Sequence, residues 1–124
     1  MARVIALTAD LLFGSRVQGD LAAGGHEVEL IGAEAELRAR LADRAAPAPA
    51  VLVVDLTDDR LDGAAVLESL AGADLLAGIP TLAFYSHVDV AAKERAEAAG
   101  FSRIVPRSRM AREGAALVDG LLSA

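Results

Sequence analysis

The chain is 124 residues long, carries a formal charge of −6 and contains no cysteine. One domain core fits that length, the acidic balance opposes the phosphate neutralisation behind non-specific nucleic-acid binding, and disulfides, thiolate nucleophiles and sulfur-ligated zinc are excluded. Hydrophobic residues make up 54% of the chain but aromatic residues only 3%, so the core must be built from Val, Leu and Ile.

Met1 to Leu7 is apolar, but Thr8 and Asp10 end the run short of a secretory core. Val4 to Leu7 is the first predicted strand. Phe13, Val17 and Leu21 then recur at every fourth position before Gly24-Gly25, which predicts a helix and its stop. Val28 to Ile31 is the second strand, and the alternation in Val28-Glu29-Leu30 suggests a place nearer an edge. Leu37 and Leu41 mark the next helix, and Ala46-Pro47-Ala48-Pro49-Ala50 reads as a surface loop. Val51 to Val54 is a continuous apolar run, as expected of a strand covered on both faces. Val66 and Leu70 lie on a third helix, followed by a strand over Thr81 to Phe84. Asp89 is placed to cap a helix running through Lys93 and Glu97 to Gly100. Ile104 and Val105 form the last strand, and Met110, Leu117 and Leu121 the last helix. This strict strand-helix alternation predicts an α/β fold of parallel βαβ units in a single domain over residues 1–124. No stretch approaches the ~20 apolar residues that span a bilayer, so a cytoplasmic protein with neither membrane nor nucleic-acid partners is expected.

In open parallel sheets, ligands gather at the carboxyl ends of the strands. Those positions hold Thr8, Ala9 and Asp10, then Asp55 to Asp59, Tyr85 to His87, and Pro106 to Arg109. Asp55 closes the run Val-Leu-Val-Val, where its carboxylate is able to act as a nucleophile or anion-site residue, or merely to cap the next loop or helix. His26 and His87 are isolated from any ligand spacing, and both are expected to be solvated. The sequence has no Gly-rich phosphate loop and no nucleophile elbow, and the Arg103-x-x-x-Arg107 spacing is too common to assign an anion site.

The arrangement resembles the receiver domain of two-component response regulators, a flavodoxin-like fold, over essentially the whole chain. That resemblance implies a three-layer α/β/α sandwich, (βα)5, with parallel strands in the order 2-1-3-4-5. It puts Asp55 at the phosphoacceptor position, Tyr85 at the Ser/Thr position after strand four, and Arg107-Ser108 where receivers carry Lys-Pro. Thr8 and Ala9 fall on the acidic pair that, with the phosphoacceptor, holds Mg²⁺ in receivers. Neither supplies negative charge, and Asp10 lies one residue late, where side-chain direction reverses. A metal site and other cofactors are therefore not expected. Arg107 is able to lock Asp55 in an ion pair or to lie exposed among Arg103, Arg109 and Arg112. Tyr85 has the choice of covering the pocket, bonding Asp55, or packing at the sheet edge, with Ser86 as a substitute hydroxyl. A fainter similarity of Asp55, Asp58, Asp59 and Asp62 to haloacid-dehalogenase-like phosphatases fails at Thr57, where those enzymes carry a second Asp.

Together these residues point to a stand-alone pseudo-receiver that signals through protein contacts and is not an enzyme, with no catalytic residue. The resemblance implies a contact surface between Asp89 and Leu122 for a protein partner or a second copy. One alternative keeps the chemistry: Asp55 accepts a phosphoryl group in a two-component relay, with Asp10 as metal ligand for Mg²⁺ and weak autophosphatase activity. Another is a module binding a small anionic ligand at the carboxyl edge of the strands.

Overall fold

The apolar runs become strands that extend one residue or so beyond their hydrophobic stretch, because ladder pairing is made by the backbone and does not stop at the last aliphatic side chain. The computed structural model describes residues 2–123. Its strands are β1 (Arg3–Leu7), β2 (Glu27–Ile31), β3 (Val51–Asp55), β4 (Thr81–Tyr85) and β5 (Arg103–Pro106). They form one parallel sheet in the order β2-β1-β3-β4-β5, as the resemblance implied. At its outer end Arg3 stands opposite Glu27, and their side chains pair at 3.1 Å, which accounts for two charged residues inside strands.

The strand period of two sorts the core into two layers. Val4, Ala6, Val51, Val53, Leu82, Phe84 and Val105 face one side of the sheet. Helices α1 (Leu11–Ala23) and α5 (Arg107–Leu122) close that side with Phe13, Val17, Leu21, Met110, Leu117 and Val118. Ile5, Leu7, Leu52, Val54 and Ala83 face the other. There α2 (Glu34–Ala42), α3 (Gly63–Gly72) and α4 (Val90–Ala99) contribute Leu37, Val66, Leu67, Leu70 and Ala96. β3 and β4 are buried along their whole length, whereas β2, with the predicted alternation, is an edge strand. Its Glu29 is held at 3.0 Å by Arg40 of α2.

Asp10, Asp62 and Asp89 cap α1, α3 and α4, each carboxylate accepting the N–H three residues on. Gly100 ends α4 in the left-handed region at φ 98°, the role its position predicted. The 46–50 segment is a loop before β3, with Pro49 buried inside it.

His26 departs from expectation. It is buried, not solvated: Nδ1 accepts the Ala2 N–H at 3.2 Å and Nε2 lies 2.8 Å from Asp119 Oδ1. Because Nδ1 is an acceptor, the neutral ring carries its proton on Nε2 and donates it to Asp119. Two partners 24 and 93 residues away give no local signature, which is why an isolated histidine looked free.

Candidate functional site at the carboxyl edge of the sheet

Asp55 is the last residue of β3 and is fully buried. A buried carboxylate has to be satisfied by donors, and here both oxygens are. Thr8, the residue after β1, donates its hydroxyl to Asp55 Oδ2 at 2.6 Å. Thr57 donates its N–H at 2.7 Å and its hydroxyl at 2.6 Å to Oδ1. The Thr57 N–H closes an Asx turn two residues after Asp55, a turn that the spacing Asp-x-Thr encodes. Thr57 was the functional neighbour that sequence reasoning missed, and that spacing was its signal.

Thr8 is itself fixed from two sides. Its hydroxyl accepts the Asp10 N–H at 3.1 Å, so a chain of donors runs from the Asp10 backbone through Thr8 to Asp55. Its methyl group packs against Gly14 of α1, where a Cβ would sit only 2.8 Å from Thr8 Cγ2. Glycine at 14 lets the helix approach the strand end closely enough to press Thr8 onto Asp55.

Asp10 does not turn toward Asp55. Its Oδ1 accepts the Phe13 N–H at 3.0 Å as the cap of α1, and its Oδ2 faces Arg107 Nη2 at 3.4 Å. Arg107 accordingly pairs with Asp10 and not with Asp55, so of its two options the ion pair with Asp55 is not formed, and its side chain is partly exposed. Its guanidinium lies 4.1 Å from the centre of the Phe13 ring, a cation–π stack that holds it over α1 and away from the end of β3. Ala9 is half-buried and offers no polar side chain.

Tyr85 ends β4 with its side chain buried, and Lys93 of α4 stands 6.0 Å from its ring centre. Among the described residues, neither Tyr85 nor Ser86 hydrogen-bonds Asp55, so the hydrogen-bonded option for Tyr85 is not the one observed, and its ring is buried at the end of β4. The aspartates after β3 disperse. Asp62 caps α3, while Asp58 is gripped by Arg60 at 2.6 Å, and the hydrogen bonds from Arg60 pull the Asp58 carboxyl down to about 2. His87 is exposed.

No family model matches the sequence, and no curated protein matches it. Solved structures do. The receiver domain of a Francisella response regulator superposes with a TM-score of 0.82 at 15% identity, covering 99% of this chain and 98% of that one. The Vibrio cholerae chemotaxis protein CheY4 gives 0.81 at 18%, covering 98% and 99%. A response-regulator receiver domain protein from Clostridium thermocellum gives 0.82 at 13%, covering 99% and 95%. The chain has the response-regulator receiver fold.

Within the receiver fold, the place of interest is the Mg²⁺ site that the resemblance implies beside Asp55, and the residues present do not fit it. Magnesium demands a near-octahedral set of oxygen ligands, with carboxylates among them. Here the first two positions after β1 are a hydroxyl and a methyl group. The Thr8 hydroxyl points its hydrogen at Asp55, and both oxygens of the one carboxylate are occupied by protein donors. Asp10, the remaining acid, is committed to the α1 cap and Arg107. Among the described residues, no three acidic or histidine side chains converge as a metal-binding group.

The same edge of the receiver fold carries a separate cavity of about 410 Å³ between α1, the β4–α4 loop and the start of α5. A larger one, about 610 Å³, lies at the opposite edge among α2, the loop before β3 and the loop before β4, far from Asp55. No helix among the described residues is long and apolar enough to cross a membrane.

Proposed function

We propose that this chain is a receiver-type signalling module that works through protein contacts, without Mg²⁺-dependent phosphoryl transfer at Asp55. The observation that carries this reading is the closed carboxylate: Thr8 and Thr57 supply three donors to Asp55, all within 2.7 Å. A phosphoacceptor must present a free lone pair to an incoming phosphorus and needs nearby positive charge to offset the developing anion. Asp55 is fully buried, so the lone pair that Oδ2 keeps is not presented to solvent, and Arg107, the cation expected beside it, is stacked on Phe13 and paired with Asp10. A hydroxyl and a methyl group in place of the acidic pair turn the reactive corner of the fold into a structural one.

The partner on this reading is a protein, or a second copy of the chain, meeting the surface between Asp89 and Leu122. α4 fits such a role: only Ala96 is buried along it, leaving Lys93, Glu94 and Glu97 on an exposed polar face. A cytoplasmic setting accompanies a module of this kind.

The test is an amide NMR spectrum with Mg²⁺, repeated after adding beryllofluoride and again on Asp55→Asn. An unchanged spectrum supports the proposal. Shifts around Asp55, Tyr85 and Arg107 that disappear in the variant would instead make Asp55 a working phosphoacceptor in a relay and overturn it. The molar mass by light scattering, from micromolar to millimolar chain, separates a second copy from a foreign partner.

A further inference from the structure

The 410 Å³ cavity beside α1 has a chemistry unlike the rest of the molecule. The chain carries a net charge of −6, yet Arg16, His87 and Arg107 line this cavity and no carboxylate does. Several arginines here have an acidic partner at close range, as in Arg3 with Glu27, Arg60 with Asp58 and Arg95 with Glu68. Arg16 has none among the described residues. Arg107 has only Asp10 at 3.4 Å, well outside the ~2.7–2.9 Å of a firm charge-assisted hydrogen bond. Its guanidinium is nevertheless held in place over Phe13, so the side-chain entropy of orienting it for a ligand is already spent.

Ser86 and Ser108 add two hydroxyls to the same walls, and Phe13 with Ala111 supplies an apolar floor. Leu12 and Val88, the chain neighbours of the lining residues Phe13 and His87, are 87% and 76% exposed. Two guanidinium forks, an imidazole and two hydroxyls offer more donors than a carboxylate's two oxygens accept, and match the three oxygens and double charge of a phosphate monoester. The volume lies in the range of small-molecule pockets.

We propose that this cavity binds a small molecule carrying a phosphate monoester on an apolar body, with Arg16 and Arg107 gripping the phosphate. The site is distinct from Asp55, involves no covalent step, and goes beyond the signalling role proposed above without depending on it.

Phenyl phosphate is the probe, titrated in metal-free buffer and followed by amide and arginine side-chain NMR. Saturable shifts are expected at Phe13, Arg16, Ser86, His87 and Ser108, unchanged in Asp55→Asn. Arg16→Gln and Arg107→Gln should each weaken binding at least about tenfold, the size of one lost charge-assisted hydrogen bond. Phenol should not bind over the same range, and inorganic phosphate should bind more weakly. Both arginines are surface residues, so preserved amide dispersion certifies that each variant is folded. Equal affinity in the folded variants, shifts centred on other arginines, loss of binding in Asp55→Asn, or inorganic phosphate binding as tightly as the probe would each overturn the proposal.

Discussion

Replacing Thr8 with valine keeps the shape that packs on Gly14 and removes only the hydroxyl that reaches Asp55. The 2.6 Å bond to a fully buried carboxylate is of the charged kind, contributing about 1.5–3 kcal/mol. The Asp10 N–H, left without its 3.1 Å acceptor, adds about 1 kcal/mol. Thr8→Val is therefore expected to lose about 2.5–4 kcal/mol in urea unfolding with an unchanged m-value. In a domain of this size that corresponds to a Tm lower by roughly 10 °C. Thr8→Ser, which keeps the hydroxyl and sacrifices the methyl, should lose about half as much or less. The decisive comparison is a double-mutant cycle: once Asp55→Asn has removed the charge, Thr8→Val should cost at least about 1 kcal/mol less than in the parent. A Thr8→Val protein within about 0.5 kcal/mol of the parent, or an identical loss in both backgrounds, would refute the view that this hydroxyl serves the buried carboxylate.

Gly14→Ala drives a Cβ to 2.8 Å from Thr8 Cγ2, and should destabilise by about 1–3 kcal/mol while shifting the Thr8 and Asp55 amides, which urea unfolding and NMR together report. Arg60→Ala should raise Asp58 from about 2 toward the ordinary aspartate value of 3.8 but stop short of it, because the backbone N–H of residue 60 still donates to Asp58 Oδ1 at 2.9 Å, and carbon-13 titration of the carboxyl reads the change. A depressed folded value means that whatever the pair adds to stability is present above about 3.8 and fades as pH falls toward 2, so the parent and Arg60→Ala unfolding curves should converge at the acid end.

The sheet was legible because its signals are local and redundant. Val51 to Val54 is apolar on both faces and Val28-Glu29-Leu30 on one, and the structure makes the former central and the latter an edge. Asp89 and Gly100 punctuate α4 where turn chemistry requires them. The site was legible only in position. That Asp55 closes β3 and Thr8 follows β1 comes from strand ends, but what their side chains touch depends on how the helices seat. Arg107 could not be assigned to Asp10 without knowing that Phe13 would lie beneath it, and Asp10 looked like a displaced ligand until its role as the α1 cap was visible. His26 was opaque for the same reason at longer range, since half of its environment arrives with α5.

That late arrival bears on how the chain is made. β1, α1 and β2 emerge from the ribosome with Val17 and Leu21 turned toward a layer that α5 completes, and with His26 holding Ala2 but still missing Asp119. Until α5 is out, that side of the nascent sheet is covered by α1 alone, so the first three elements gain only part of their final burial by pairing early. The buried imidazole thus acts as a latch closed by the last helix, and the fold becomes fully cooperative only when nearly all of it has been synthesised.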